Sequence, residues 1–362
     1  MRTQAVLCPA SACACGLLVS FLLFGQSTEL DRDIPRLLTE TRVPSVSIAQ
    51  MKNGKVALVR AYGQQDAKTA ATPASLYNIA SLTKTITAQV AIRLVSDGVF
   101  ALDEPMAPVW TDPDIAADER RNLLTPRIAL AHQTGFANWR SMTKNKLTFQ
   151  FTPGKGYGYS GEGFEYLAHF MEKKTGLPLD ANARKLVFDP LEMRETAFTR
   201  QPWFQGRVAT PADEEGIWLS PRFADHPISA DMVYSTARDY ALLLRAVIEN
   251  RGIKPWVAKQ RDTIQVSLKE KACPSLPSSA LCPDALGSGL SWQIIRFKEA
   301  IVLLHTGHDP GVYTFTYILS TTHDGAVILT NGENGRKIIP VILRDLKAPD
   351  AFVALMKATS AK

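Results

Sequence analysis

Ser81 and Lys84 stand three residues apart in "LYNIASLTKTITAQVAIRLV", residues 76–95, where Leu82, Ile86, Val90, Ala91 and Leu94 recur at helical spacing. A serine hydroxyl is a weak nucleophile until a neighbouring group takes its proton. Residues three apart on a helix are neighbours, so Lys84 can reach Ser81. A lysine among apolar side chains has its ammonium disfavoured by desolvation, which moves it toward a working base. At a helix N-terminus the backbone N–H of Ser81 would face a developing oxyanion. The competing reading is an ordinary helix start, with Ser81 as the cap and Lys84 extended to water. The tetrapeptide alone favours this second reading, because Ser-x-x-Lys is short enough to recur by chance in a long chain.

Two later stretches add to it. "TPGKGYGYSGEGFEYL" (152–167) sets Tyr159, Ser160 and Gly161 in a Gly-rich turn before a helix. "LLHTGHDPGVYTF" (303–315) sets His305, Thr306 and Gly307 at the end of an apolar strand. In this order the three motifs resemble those of the class C β-lactamase-like serine hydrolases, the penicillin-binding-protein-like family: Ser-x-x-Lys, then Tyr-x-Asn, then Lys- or His-x-Gly. "RIALAHQTGF" (127–136), "FDPLEMRETAF" (188–198), "VYSTARDYALLL" (233–244) and "LTNGENG" (329–335) are similar to further segments of that family. The collinear similarity runs from about residue 32 to 336.

The resemblance implies roles residue by residue. Ser81 is the nucleophile that forms an acyl-enzyme, and Lys84 shares its proton traffic. Tyr159 is the partner base, with a phenolate favoured by Lys84, and it later protonates the leaving group. The backbone N–H groups of Ser81 and His308 form the oxyanion hole. His305 and Thr306 line the site at the sheet edge, and Gly307 lets substrate approach closely. Which of Lys84 and Tyr159 takes the first proton stays open, because a coupled pair has no single owner of the proton.

Two positions depart from the family's β-lactamases. Gly161 stands where an Asn would bind a substrate amide, and His305 stands where a Lys would face a substrate carboxylate. A histidine carries charge only part of the time near neutral pH. Both changes favour an esterase, amidase or peptidase acting on small acyl or D-amino-acid substrates. The alternatives are a β-lactamase, a D-alanyl-D-alanine carboxypeptidase, or a penicillin-binding sensor that acylates without turning over.

Behind these residues the chain alternates strand and helix signals. A helix is expected over 29–42, then two β runs around Asn53-Gly54, a strong hairpin signal. Strand patterns return in "LSWQIIRF", "AIVLLHTG", "VYTFTYILS" and "GAVILTNG", and helix patterns in 163–176, 236–252 and "PDAFVALMKA". Strands near both ends with helices between them predict an α/β (α+β type) fold of the β-lactamase/transpeptidase kind. It would be an antiparallel sheet flanked by helices, with a mostly helical insertion at about 99–229 inside one domain, 28–362.

The first 27 residues differ from the rest. Arg2 is the only charge before Glu29, and "CGLLVSFLLFG" is a short apolar run ahead of Gly25 and Ser27. This reads as a secretory signal peptide, with a secreted or periplasmic destination. Cys273 and Cys282 flank "PSLPSSAL" and form either a small disulfide-closed loop or two unpaired surface thiols. Charged residues make up 21% of the 362-residue chain and the net charge is +6, with no basic patch interleaved with aromatics. Nucleic-acid binding and membrane association beyond the signal are therefore not expected. His305 and His308 form H-x-x-H, but no Cys or Glu cluster joins them, so no metal and no cofactor is expected. The partner is a small ester, amide or peptide; the sequence leaves the oligomeric state open.

Overall fold

The structure, a computed structural model, describes residues 28–360, so the expected signal segment lies outside the described residues. β1 (Ser45–Lys52) and β2 (Lys55–Gly63) form a hairpin through Asn53 and Gly54, whose φ values of 48° and 73° suit a type I′ turn. β3 (Tyr77–Asn78) pairs antiparallel with β4 (Tyr234–Ser235). Next come β5 (Val266–Ser267), β6 (Ala285–Ser288), β7 (Gln293–Arg296), β8 (Ile301–Asp309), β9 (Val312–Leu319) and β10 (Asp324–Thr330). The main sheet has eight strands in the order β2-β1-β10-β9-β8-β7-β6-β5, and each neighbouring pair is antiparallel. It is the mixed fold the sequence predicts, with the N-terminal hairpin zipped onto the C-terminal strand.

Alternation along the strands builds two cores. Val46 and Ile48 of β1 and Ala326 and Ile328 of β10 face one side. They pack there against α1 (Glu29–Thr41) and the helices Ile339–Asp345 and Asp350–Ser360. Ala49, Met51, Val327 and Leu329 face the other side, against α2 (Thr83–Ser96) and the helices Gly161–Thr175 and Ala237–Ile248. Between α2 and β4 the chain adds no strand to the main sheet. That segment instead forms the helix Gly161–Thr175 together with shorter helices and turns, several of which pack on α2. A disulfide joins Cys273 and Cys282, with Cα atoms 5.3 Å apart. Among the described residues, no helix is long and apolar enough to cross a membrane.

Every residue of α2 is buried, including Thr83, Lys84, Thr85, Thr87, Gln89 and Arg93. A helix enclosed on all sides must find partners for its polar groups. The Thr85 hydroxyl meets Tyr240 Oη at 2.7 Å, and Thr87 donates to Ser229 O at 2.6 Å. Lys84 therefore sits in protein interior. It does not extend to water.

Candidate active site

Ser81 occupies a 3₁₀ turn, Ala80–Leu82, that leads into α2. Its side chain does not cap that helix; Lys84 Nζ donates to Ser81 Oγ at 3.0 Å and to Ala230 O at 2.8 Å. Ala80 is in the left-handed region with φ 46°, a strained conformation for a residue with a Cβ. Three contacts hold it. Asn78 Oδ1 accepts from Ala80 N–H at 2.8 Å, Asn78 Nδ2 donates to Asp309 Oδ2 at 2.7 Å, and Thr314 Oγ1 donates to Ile79 O at 2.9 Å. The turn carrying the serine is thus tied to the ends of β8 and β9.

β8 supplies the other wall. It pairs with β7 only over Ile301–Leu304, and from His305 to Asp309 only with β9. The far edge of that last stretch has no strand partner among the described residues. A Cβ on Gly307 would lie 2.7 Å from Ile79 O and 2.9 Å from Ser81 N, so only glycine allows strand and nucleophile turn to come this close. The imidazole Nε2 of His308, the next residue, is bound to Glu333. Glu333 also accepts from Gly311 N–H at 2.6 Å. His305 and His308 point to opposite faces of the strand, as odd and even positions must.

The electrostatics follow from burial. Lys84 is fully buried, and desolvation lowers its pKa to about 8 against the opposing pull of Asp231, Glu165 and Asp309. Its ammonium lies over the Tyr159 ring, 4.8 Å from the centroid. Burial pushes the Tyr159 phenol well above its ordinary value, with a Ser81 hydrogen bond pulling the other way. Tyr159 therefore rests as a phenol, in place of the phenolate expected from the resemblance. Burial also brings His305 down to about 3, so it is neutral. Its Nδ1–H donates to Thr306 O at 2.9 Å, which leaves Nε2 as an acceptor. His132 is likewise held neutral by burial. It takes a hydrogen bond from Ser160 N–H on Nδ1 at 3.2 Å and stacks on Tyr159, ring centroids 4.3 Å apart.

Three contributors escape the sequence motifs. Glu165, raised by burial to about 7, accepts from Ser229 N–H and Oγ, both at 2.8 Å, next to the carbonyl that holds Lys84. Asp231 is raised to about 7 by burial and then by Asp309. The Trp139 ring lies 5.7 Å from Lys84 Nζ, against Gly161. Gly161 itself donates its N–H to Asn138 Oδ1 at 2.9 Å. Each of the three lies far along the chain from Lys84, so only the fold brings it to the lysine.

A serine in a strained turn, its proton partner buried in the following helix, and an open strand edge opposite belong to the β-lactamase fold of serine hydrolases. The Beta-lactamase family model matches residues 30–341, and the chain belongs to that family. Among curated relatives, Esterase EstB of Burkholderia gladioli is 26% identical over 358 residues, covering 77% of this chain and 90% of the relative. The D-alanyl-D-alanine-carboxypeptidase/endopeptidase AmpH of Escherichia coli is 23% identical, covering 76% of this chain and 77% of the relative. Among solved structures, the octameric penicillin-binding protein homologue from Pyrococcus abyssi superposes with a TM-score of 0.73 at 20% identity, covering 88% of this chain and 77% of that one. The D-amino acid amidase from Ochrobactrum anthropi SV3 gives 0.71 at 21% identity, with 88% and 96% covered.

Proposed function

We propose that this serine hydrolase is an esterase that works through an acyl-enzyme on Ser81 and prefers uncharged substrates. The observation that carries the reading is the neutral, buried His305. Where a β-lactamase would hold a cation for the substrate carboxylate, this site offers an imidazole acceptor. Asp231 and Asp309 nearby add negative charge, so a carboxylate-bearing substrate gains little. The likeness to Esterase EstB supports the same choice.

The neutral form of Lys84 takes the Ser81 proton as Oγ attacks the acyl carbon. The N–H groups of Ser81 and His308 receive the oxyanion. Tyr159, held as a phenol, gives its proton to the departing alkoxide and is reprotonated from Lys84. Water then enters on the side the alcohol has left, and the same groups run in reverse. Export of the mature chain completes the proposal, supported by the N-terminal apolar run and by a disulfide suited to an oxidising compartment.

The test is turnover of p-nitrophenyl butyrate and of benzylpenicillin by the mature chain. Many turnovers of the ester with little β-lactam hydrolysis supports the esterase. One equivalent of acylation and no further product would make it a sensor, and faster β-lactam hydrolysis would make it a β-lactamase.

A further inference from the structure

Two cavities border β8. A pocket of about 190 Å³ lies beside Tyr157, Tyr159 and His305. The other, of about 660 Å³, falls within the ~300–1,000 Å³ range of small-molecule sites and lies on the opposite face of the sheet. Thr306 and His308 line it, because alternate side chains of a strand leave by opposite faces and His305 takes the first. The two cavities share only Gln293, Leu304 and Thr306, where the β7 pairing ends. The floor of the larger one is apolar. Leu286, Ile295, Leu304 and Phe315 come from the sheet, Leu355 and Met356 from the helix Asp350–Ser360.

The end of this cavity near His308 is polar, and its polar groups are accessible. Strand register sets Tyr313 opposite His308, and the turn Glu333–Ile338 adds Arg336 and Lys337 to the same wall. Arg336 and Lys337 are exposed, and neither makes an ion pair or a side-chain hydrogen bond among the described residues. The Tyr313 hydroxyl has no hydrogen-bond partner there either, yet it keeps solvent access. Arg336 is close enough to that phenol to oppose the upward push of burial on it. Glu333 is the one acidic residue in the wall, and it is spent on His308 Nε2 and the Gly311 N–H. A carboxylate arriving at this end meets two free cations and a free donor, and an alkyl chain behind it covers apolar surface.

We propose that this cavity is a second, non-catalytic site that binds a free medium-chain carboxylate, its head on Tyr313, Arg336 and Lys337 and its alkyl tail on the apolar floor. The charge at the polar end selects this occupant over a neutral lipid of the same length. The Arg336 guanidinium can take both carboxylate oxygens, and Lys337 adds a point charge. Each methylene of the tail takes further apolar surface out of water, so affinity rises with chain length until the floor is covered. The site needs no chemistry at Ser81 and stands apart from the esterase reading.

The test is calorimetric titration of the protein with decanoate, octanoate and decan-1-ol. Decanoate should bind about tenfold more tightly than octanoate, the worth of two buried methylenes. Decan-1-ol, which has the tail without the charge, should bind at least tenfold more weakly than decanoate. Tyr313→Phe should weaken decanoate by about tenfold, the worth of a hydrogen bond to a charged group. Arg336→Glu combined with Lys337→Glu should weaken it by more than that and leave decan-1-ol unchanged. Both positions are exposed, so this variant should unfold at the temperature of the wild type. Met356→Trp narrows the floor and should remove the advantage of decanoate over octanoate. Absence of decanoate binding to the wild type overturns the site, as does equal affinity for decan-1-ol. Undiminished decanoate binding by the folded double variant also overturns it, because that result places the carboxylate elsewhere, the Ser81 site included.

Discussion

The Trp139 ring fills the space that a side chain at residue 161 would need. A Cβ built on Gly161 would meet ring carbons Cη2, Cζ3 and Cζ2 of Trp139 at 2.8, 2.9 and 3.0 Å. The glycine that breaks the family's Tyr-x-Asn pattern is thus one half of an exchange, in which an indole replaces an amide near Lys84. Gly161→Asn should therefore force the ring aside and cost about 1–3 kcal/mol. In a Trp139→Ala background most of that penalty should vanish, since the pair share one space. Thermal unfolding of the four proteins in the cycle checks this. Additive losses would show that the two residues do not compete.

The two tyrosines of the glycine-rich turn should separate in kinetics. Both line the pocket beside β8, and burial raises both, Tyr157 to about 12. Only Tyr159 has its ring under the Lys84 ammonium and a hydrogen bond with Ser81. Tyr159→Phe should lower kcat for an alkyl ester by about 10²–10⁴-fold, the range of a lost general acid–base group. Tyr157→Phe should stay within about tenfold of the wild type. Reversed magnitudes would move the proton donor two residues along the chain.

The pH dependence follows from Lys84. Its pKa is lowered to about 8, so the neutral base gains population as pH rises through that value. kcat/KM for a neutral ester should climb with a midpoint near 8. Asp231, Glu165 and Asp309 favour the ammonium, whereas burial disfavours it, and His132 and His305 remain neutral in this range. Asp231→Asn removes one of the opposing charges, so the midpoint should move to lower pH. A midpoint that stays or rises would separate Asp231 from the lysine.

The parts of this arrangement written in local spacing were legible in the sequence. Ser81 and Lys84 are neighbours by helical geometry, the Asn53-Gly54 turn announces its hairpin, and the apolar runs give β8, β9 and β10. The flat polar signal of Thr83, Thr85, Thr87, Gln89 and Arg93 hides a fully buried helix, because partners such as Tyr240 and Ser229 come from distant segments. Ala80 gives no sign of its positive φ, which Asn78 and Thr314 impose from outside the motif. β5 and β6 are too short, and β6 too rich in small residues, to show a strand pattern. Glu165 sits in an ordinary helical stretch, and only folding places its carboxylate against Ser229, beside the lysine's carbonyl partner.

The most direct measurement of the central claim is intact mass and peptide mapping after rapid acid quench with p-nitrophenyl butyrate. The account predicts a single butyryl adduct on the peptide containing Ser81, absent from a folded Ser81→Ala variant that also shows no turnover. An adduct on Lys84 or Tyr159, or undiminished turnover by Ser81→Ala, would contradict it.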